Sequence, residues 1–167
     1  LQFAEPHHVA ADMGCGWMFR PFKDTLAQTC AYTYAVDADP RVTELPQRKN
    51  MKYIVADITK DSGIEAASLD RVFCISVLED LGNLVGGALK EFARVVKPDG
   101  RIVITMDSQY DMESPLPRYP GVNMDGFVRA VADAGLEFDG ALDFDKADAV
   151  YHPIFNLCCF HCVLRKA

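Results

Sequence analysis

Two glycines next to an aspartate form the first group of residues that could bind a ligand. Asp12 lies near the end of the apolar run HVAADM (8 to 13), and the turn that follows contains Gly14, Cys15 and Gly16. Glycine lets the backbone turn sharply, and N–H groups at the start of a helix can then face a ligand. A nucleotide-type ligand is expected here, although similar turns that bind nothing are common.

A second candidate is the acid at the end of the next apolar run. The segment YAVDADP places Asp37 about twenty residues after the glycine turn, where a carboxylate can accept hydrogen bonds from both ribose hydroxyls of an adenosine. Asp39 is the neighbouring alternative. The glycine turn and the acid together indicate an adenosine-containing ligand, and they fit a dinucleotide and S-adenosylmethionine equally well.

Alternating apolar and helical runs predict the elements that position these residues. Short β-branched runs separated by helical ones are typical of a parallel sheet covered on both faces. Strands are predicted at 8–13, 32–37, 51–58, 71–76, 101–107, about 137–144 and about 155–164. Helices are predicted around 19–30, over 85–96, and from Met124 to Ala134 with Asn123 as N-cap.

Four segments of the chain resemble the class I S-adenosylmethionine-dependent methyltransferases, particularly the type 11 methyltransferase domain. They are ADMGCG, AVDADP, IVADI, and LDRVFCISVLEDL followed by ALKEFARVVKPDGRIVIT, within Val9 to Thr105. The RVVKPDG turn is the most specific of these, and dehydrogenases have no equivalent. The resemblance implies an α/β, Rossmann-like three-layer sandwich. Its mostly parallel seven-stranded sheet would have the order 3-2-1-4-5-7-6, with the last strand antiparallel.

The same resemblance implies which residues contact the cofactor, S-adenosyl-L-methionine. The glycine turn would surround the methionine portion, the second strand would hold the ribose, the third would reach the adenine, and the fourth would end facing the cofactor. For Asp57 the alternative is an acid that caps its own turn. The implied residues are Asp12, Gly14, Cys15, Gly16, Asp37, Ala38, Asp57, Ile58, Ser76 and Val77.

Catalytic candidates follow the fourth and fifth strands. An acceptor that must lose a proton needs a base, and we predict Glu79, Asp80 and Tyr110 for this role. For Glu79 the alternative is an acid that interacts with a helix dipole. Asp107 and the histidines His7, His8 and His152 are further options. The proline-containing loop 108–122 would shape the acceptor pocket.

The chain departs from the resemblance at three points. Trp17 and Met18 stand where a small residue and a third glycine are usual, and Asp99 replaces a turn glycine. Trp17 could lie against the sulfonium or pack in the core. The lid helices that precede the first strand in relatives are not expected in this chain, so a homodimer or a partner subunit could supply the lid.

Composition limits the partners. The formal net charge is −7 and the 17 Lys and Arg residues are scattered, so nucleic acid is not an expected partner. Neither a membrane span nor a signal peptide is expected, and a cytoplasmic location fits the unpaired cysteine pattern. The group Cys158, Cys159, His161 and Cys162 could be metal ligands, but buried strand thiols are favoured and no metal is expected.

These observations predict one domain, residues 1–167, that transfers a methyl group from S-adenosylmethionine to a small-molecule acceptor. The chain lacks the Asn-Pro-Pro-Tyr and Pro-Cys motifs of enzymes that methylate bases or amides in macromolecules. Two alternatives remain: a non-catalytic S-adenosylmethionine-binding sensor or partner subunit, and a nicotinamide-dependent oxidoreductase.

Overall fold

The computed structural model describes residues 2–18, 21–109, 122, 124–142, 151–152 and 157–167. Three α-helices lie in these ranges: α1 (Pro21–Thr29), α2 (Val85–Val95) and α3 (Met124–Asp133). The strands in the same ranges are β1 (Val9–Met13), β2 (Tyr32–Asp37), β3 (Met51–Val55), β4 (Leu69–Ile75), β5 (Val96–Gln109), β6 (Leu136–Phe138), β7 (Tyr151–His152) and β8 (Leu157–Lys166).

The strands form one sheet in the order β3-β2-β1-β4-β5-β8-β6, with the two-residue β7 beside β8. The first five strands of this order, β3, β2, β1, β4 and β5, run parallel to one another. β8 runs antiparallel to both of its neighbours, β5 and β6. When β7 is set aside, β8 is the predicted seventh strand. The predicted order and the antiparallel last strand are therefore confirmed.

Alternation along the strands creates two buried faces. On one face, Ala11, Val72 and Ile104 pack with Leu89 of α2 and Phe127 of α3 in the largest apolar cluster. On the other face, a second cluster joins β1 and β4 to α1; its buried members are Ala10, Leu26, Cys30 and Phe73. Helices therefore cover both sides of the sheet, as the sequence predicted.

Several element boundaries differ from the prediction. β3 ends at Val55 rather than 58, because the chain turns at Asp57, and β6 ends at Phe138 instead of continuing to 144. β5 begins at Val96, directly after α2, rather than at 101. Asn123 and most of the loop 108–122 lie outside the described residues.

A buried carboxylate ties α2 to the loop after β3. Glu91 is 3% exposed, and its Oε1 accepts hydrogen bonds from the backbone N–H of Ser62 (2.8 Å) and from the Ser62 hydroxyl. Its Oε2 lies 2.7 Å from Nε of Arg94. Burial would raise the pKa of Glu91, but the bonds from Arg94 and Ser62 outweigh it and lower the pKa.

All six cysteines, which lie within the described ranges, are free thiols. Cys158 and Cys162 are buried while Cys159 is exposed, because successive side chains of β8 point to opposite faces of the sheet. The group that could have been read as metal ligands is thus divided between two faces. The prediction of buried strand thiols is confirmed for Cys158 and Cys162 and is wrong for Cys159.

Candidate active site

The glycine turn is held by hydrogen bonds at the carboxyl end of β1. The N–H groups of Gly14 and Cys15 both donate to the carbonyl of Val36, over 2.8 and 3.0 Å. The next N–H, that of Gly16, donates to Oδ2 of Asp37 over 2.8 Å. All three N–H groups are therefore bonded within the protein, and the expectation that the turn offers them to a ligand is wrong.

This arrangement distinguishes between the two adenosine ligands. A dinucleotide places its pyrophosphate against free N–H groups at the turn. S-Adenosylmethionine carries no phosphate, and it needs from the turn only room for close approach. Gly14 and Gly16, with left-handed φ values of +85° and +68°, have no side chains to block a ligand, and the side chain of Cys15 between them is buried. The residues of the turn fit S-adenosylmethionine better than a dinucleotide.

Gly14 also fixes the end of β4 against β1. A Cβ added at Gly14 would lie 2.5 Å from Cγ2 and 2.8 Å from Cγ1 of Val77. Two predicted cofactor-binding residues, 63 positions apart in the chain, are thus in direct contact. Any side chain at Gly14 would push Val77 away from the turn.

The end of β4 carries backbone strain. Ser76 is exposed and has a φ of +52°, a left-handed conformation that is costly for residues other than glycine. Its N–H is held by the carbonyl (2.9 Å) and Oγ1 (3.2 Å) of Thr105 in β5. Strain of this kind collects at ligand sites, where the surrounding structure maintains it.

Asp37 joins three loops of the site. While Oδ2 accepts from Gly16, Oδ1 accepts from the N–H of Asp39 (2.9 Å), and the backbone carbonyl accepts from Ala56 after β3 (2.9 Å). Each carboxylate oxygen has two lone pairs, so the carboxylate can still accept bonds from ribose hydroxyls. Ala38 lies between the two acids, at the same edge.

The carboxylate of Asp57 caps the turn after β3. It accepts from the N–H (3.0 Å) and hydroxyl (2.6 Å) of Thr59, and it lies 3.0 Å from Nζ of Lys60. These bonds lower the pKa of Asp57 to about 2. The side chain of Ile58 is buried in the main apolar cluster, so a contact of this residue with adenine would have to use its backbone.

The side chains of Asp12 and Cys15 are buried at the glycine turn. Asp12 is buried between Ala35 of β2 and Phe73 of β4 in the register of the sheet. Cys15 is also buried; burial raises the pKa of its thiol to about 12, and the carboxylates of Asp12 and Asp37 contribute. The thiol of Cys15 therefore stays protonated and acts as an apolar packing group.

Lys23 is a site residue that the sequence analysis missed. It lies in the first turn of α1 and is 2% exposed, and its Nζ donates to the carbonyls of Cys15 (3.3 Å), Gly16 (3.4 Å) and Met18 (3.4 Å). A buried ammonium thus stabilises the carbonyl side of the glycine turn. Its spacing could have indicated burial, since Leu26 follows three residues later on the inner face of α1.

Trp17 lies at the surface rather than in the core. It is 39% exposed, and the guanidinium carbon of Arg41 lies 3.8 Å from the centroid of its ring. Arg41 is also paired with Asp39, beside Asp37. Of the two alternatives for Trp17, packing in the core is therefore wrong. The indole instead forms a cation–π contact next to the predicted ribose position.

An apolar cavity opens beyond Val77. Its volume is about 390 Å³, and its apolar walls include Leu78, Val85, Phe127 and Ala130. Glu79 contributes a carboxyl group to the lining. Burial raises the pKa of Glu79, and the nearby carboxyls of Asp107 and Asp80 raise it further.

The other base candidates are placed differently. Asp80 is exposed, and Tyr110 lies outside the described residues. His7 and His8 precede β1, at the amino edge of the sheet, so the structure excludes them from the carboxyl edge. With Glu5 they offer ligand atoms within 4.8 Å of one another, but His8 Nδ1 already accepts from the N–H of Glu5 (3.1 Å).

This combination of turn, acid and cavity agrees with a known family. A family model described as a methyltransferase domain matches residues 11–104. The chain belongs to the methyltransferase domain family. The predictions of an enzyme and of S-adenosylmethionine as the cofactor of this methyltransferase are confirmed. The alternative of a nicotinamide-dependent oxidoreductase is set aside. No curated protein matches the methyltransferase.

Solved structures of other methyltransferases share the fold of this chain. A TehB-like S-adenosylmethionine-dependent methyltransferase from Corynebacterium glutamicum has a TM-score of 0.73 and 17% identity, covering 99% of this chain and 84% of that one. A putative methyltransferase from Haloferax volcanii, in complex with the activator Trm112, has a TM-score of 0.69 and 18% identity, covering 98% and 84%.

A third structure holds both an acceptor and the cofactor product. It is the 1,6-didemethyltoxoflavin-N1-methyltransferase of Burkholderia thailandensis, with bound 1,6-didemethyltoxoflavin and S-adenosylhomocysteine. Its TM-score is 0.64 and its identity 18%, covering 97% of this chain and 72% of that one. At these identities the likeness concerns the fold.

Proposed function

We propose that this methyltransferase transfers the methyl group of S-adenosylmethionine to a small-molecule acceptor bound beside Glu79. The observation that carries the proposal is the cavity of about 390 Å³, which has the size of a small-ligand pocket and is lined mainly by apolar side chains. The net charge of −7 supports it, since a nucleic-acid acceptor would favour a basic surface.

The cofactor would lie across the carboxyl ends of β1, β2 and β4. Asp37 would accept the ribose hydroxyls, the Gly14–Gly16 turn would lie against the methionine portion, and Asp57 would approach the adenine. Ser76 and Val77 would form the wall between the cofactor and the cavity. Asp12 and Cys15 would support the turn from below, and Ala38 and Ile58 would line the adenosine with backbone atoms.

The bound cofactor would supply a methyl group that its sulfonium already activates, so the protein has mainly to hold the acceptor in line with the S–CH₃ bond and to exclude water. Positioning of this kind can lower the barrier by up to about 7 to 11 kcal/mol. The apolar walls of Leu78 and Phe127 exclude water, and Glu79 is the group that can take a proton. Asp80 and Tyr110 are the alternative bases.

Residues 1–167 would act as one cofactor-binding domain, with a second copy or a partner subunit closing the site. The Haloferax neighbour was solved with an activator protein, which supports a search for such a partner. In the described residues no helix is long and apolar enough to cross a membrane. The free thiols fit a cytoplasmic location.

Calorimetry and turnover test the proposal together. Titration with S-adenosylhomocysteine should show binding, and titration with NAD should show none. Incubation with methyl-labelled S-adenosylmethionine and a metabolite panel should move label into a small molecule. If S-adenosylhomocysteine binds but label is transferred only to protein or nucleic acid, the proposed small-molecule acceptor is wrong. If S-adenosylhomocysteine binds and no label is transferred at all, the result contradicts the proposal and favours a sensor.

A further inference from the structure

We infer that the acceptor is an amine, bound by Glu79 in the cavity between α2 and α3 and methylated on nitrogen. Three properties of the cavity support this assignment: the charge of its lining, a buried oxygen atom without a partner, and its position beside the cofactor turn.

The charge of the lining selects against anions. Among the described residues that line the cavity, Glu79 is the one ionisable side chain and Asn83 the one amide; none is Lys, Arg or His. The carboxyls of Asp80 and Asp107 lie close enough to affect Glu79. An anionic acceptor would meet only like charges here, whereas an ammonium would be stabilised.

The unpartnered atom is Oε2 of Glu79. It is buried and has no hydrogen-bond partner in the described part of the chain. Buried polar atoms are nearly always bonded, and a carboxylate oxygen can only be satisfied by a donor. Because Oε2 is buried, an N–H of the acceptor would reach it after a rotation of the carboxyl group, and the rest of the acceptor would lie against Val85, Phe127 and Ala130.

The position of Glu79 suits the transfer. Val77 contacts the cofactor turn at Gly14, and Glu79 follows two residues later, at the wall of the cavity. The Cys159 thiol, opposite Asp107 in the β5–β8 ladder, is not a competing nucleophile. Partial desolvation on the sheet and the carboxylates of Asp107 and Glu79 raise the pKa of Cys159, so the thiol stays protonated although part of its surface is exposed.

The reaction balances with the cofactor as sole co-reactant. The bound ammonium gives one proton to the Glu79 carboxylate, which leaves a lone pair on nitrogen. That pair forms the N–CH₃ bond as the S–CH₃ bond breaks. The electron pair of the broken S–CH₃ bond stays on sulfur, which becomes a neutral thioether. The products are the methylated ammonium, S-adenosylhomocysteine and the proton that Glu79 then passes to water.

The test uses three probes of similar shape: 2-phenylethylamine, 2-phenylethanol and phenylacetate. Their affinities are measured by calorimetry on the full chain, with and without S-adenosylhomocysteine, and methylation is followed with labelled cofactor. The amine should bind at least about tenfold more tightly than the alcohol or the acid, since hydrogen bonds to charged groups are the stronger ones. Label should appear in the amine alone.

The variant Glu79→Gln should lose this preference by about tenfold, whereas Glu65→Gln, an exposed glutamate before β4, should keep it. Urea unfolding shows whether each variant is folded. The comparison of the three probes on the wild-type protein tests the inference even if neither variant folds. Equal or tighter binding of phenylacetate, no binding of the amine at millimolar concentration, or an unchanged preference in a folded Glu79→Gln would overturn the inference.

Because the assignment rests on the proposed small-molecule transfer, the two can fail separately. Amine preference without S-adenosylhomocysteine binding would overturn the proposed function. Transfer to a non-amine small molecule would overturn the amine assignment alone.

Discussion

The backbone N–H of Gly16 donates to Oδ2 of Asp37 over 2.8 Å, so the glycine turn and the predicted ribose acid are parts of one structure. If Asp37 binds the ribose as proposed, a change at Asp37 acts on the cofactor directly and through the turn. The same bond removes an N–H group that a pyrophosphate would need. The preference for S-adenosylmethionine over a dinucleotide follows from this pairing.

Asp37→Ala should weaken binding of S-adenosylhomocysteine by about 1 to 3 kcal/mol, because the ribose hydroxyls lose their acceptor. Calorimetry on folded protein measures the effect. Asp39→Asn, at the neighbouring acid, should change affinity much less. If Asp39→Asn has the larger effect, the ribose acid has been assigned to the wrong position.

Gly14→Ala should destabilise the fold by about 1 to 3 kcal/mol, because the new Cβ would overlap Val77 and overpacking carries a cost of this size. The positive φ adds about 1 to 2 kcal/mol. Urea unfolding at neutral pH gives the change. Adding Val77→Ala should restore only the part of the unfolding free energy that was lost to the overlap. Restoration of the whole loss would show that the left-handed backbone costs nothing here.

Lys23→Met should reduce cofactor affinity and lower the free energy of unfolding by about 1 to 3 kcal/mol, since three carbonyls lose a buried donor. Lys52→Met, at an exposed position of β3, is the matched control. Unfolding and calorimetric titrations should be run on both. Wild-type values for Lys23→Met would mean that water replaces the ammonium at no cost.

Trp17 is the single tryptophan of the chain, and its fluorescence should report on the cofactor site. Saturation with S-adenosylhomocysteine should change the emission with the midpoint found by calorimetry. Arg41→Met should change the emission of the free protein, because the guanidinium leaves the ring face. An emission spectrum that does not respond to bound ligand would place Trp17 away from the cofactor.

Glu91→Gln should lower the free energy of unfolding by about 1 to 3 kcal/mol at pH 7, because Arg94 and Ser62 lose a buried carboxylate. The folded-state pKa of Glu91 is lowered, so its contribution is present above the unfolded value of about 4 and is lost as pH falls through the folded pKa. The deficit of the variant should therefore shrink below pH 4.

Glu137→Gln, in an exposed pair with Arg165, is the control for that series and should cost at most about 1 kcal/mol. Denaturant unfolding of both variants between pH 7 and pH 3 measures the two curves. A deficit of Glu91→Gln that grows with acidity would reverse the assigned sign.

The sequence alone determined most of the strands and the helices on both faces of the sheet, and its resemblance to a known family supplied the strand order and the cofactor class. Apolar periodicity records which residues are buried, and the RVVKPDG turn separated the methyltransferases from the dehydrogenases. It also placed Asp37 at the end of the second strand, because the end of a strand is a local property. These features depend on short stretches of chain whose burial and spacing can be read without knowledge of distant neighbours.

The tertiary structure decided what depends on residues far apart in sequence. The N–H groups of Gly14 and Gly16 are taken by β2, Lys23 reaches the glycine turn from α1, and Arg41 covers Trp17. The cavity beside Glu79 exists because α3 packs near α2. Hydrogen bonds and cavities of this kind form between elements that are far apart in the sequence. The spacing of the residues involved therefore leaves no periodic signal in the sequence.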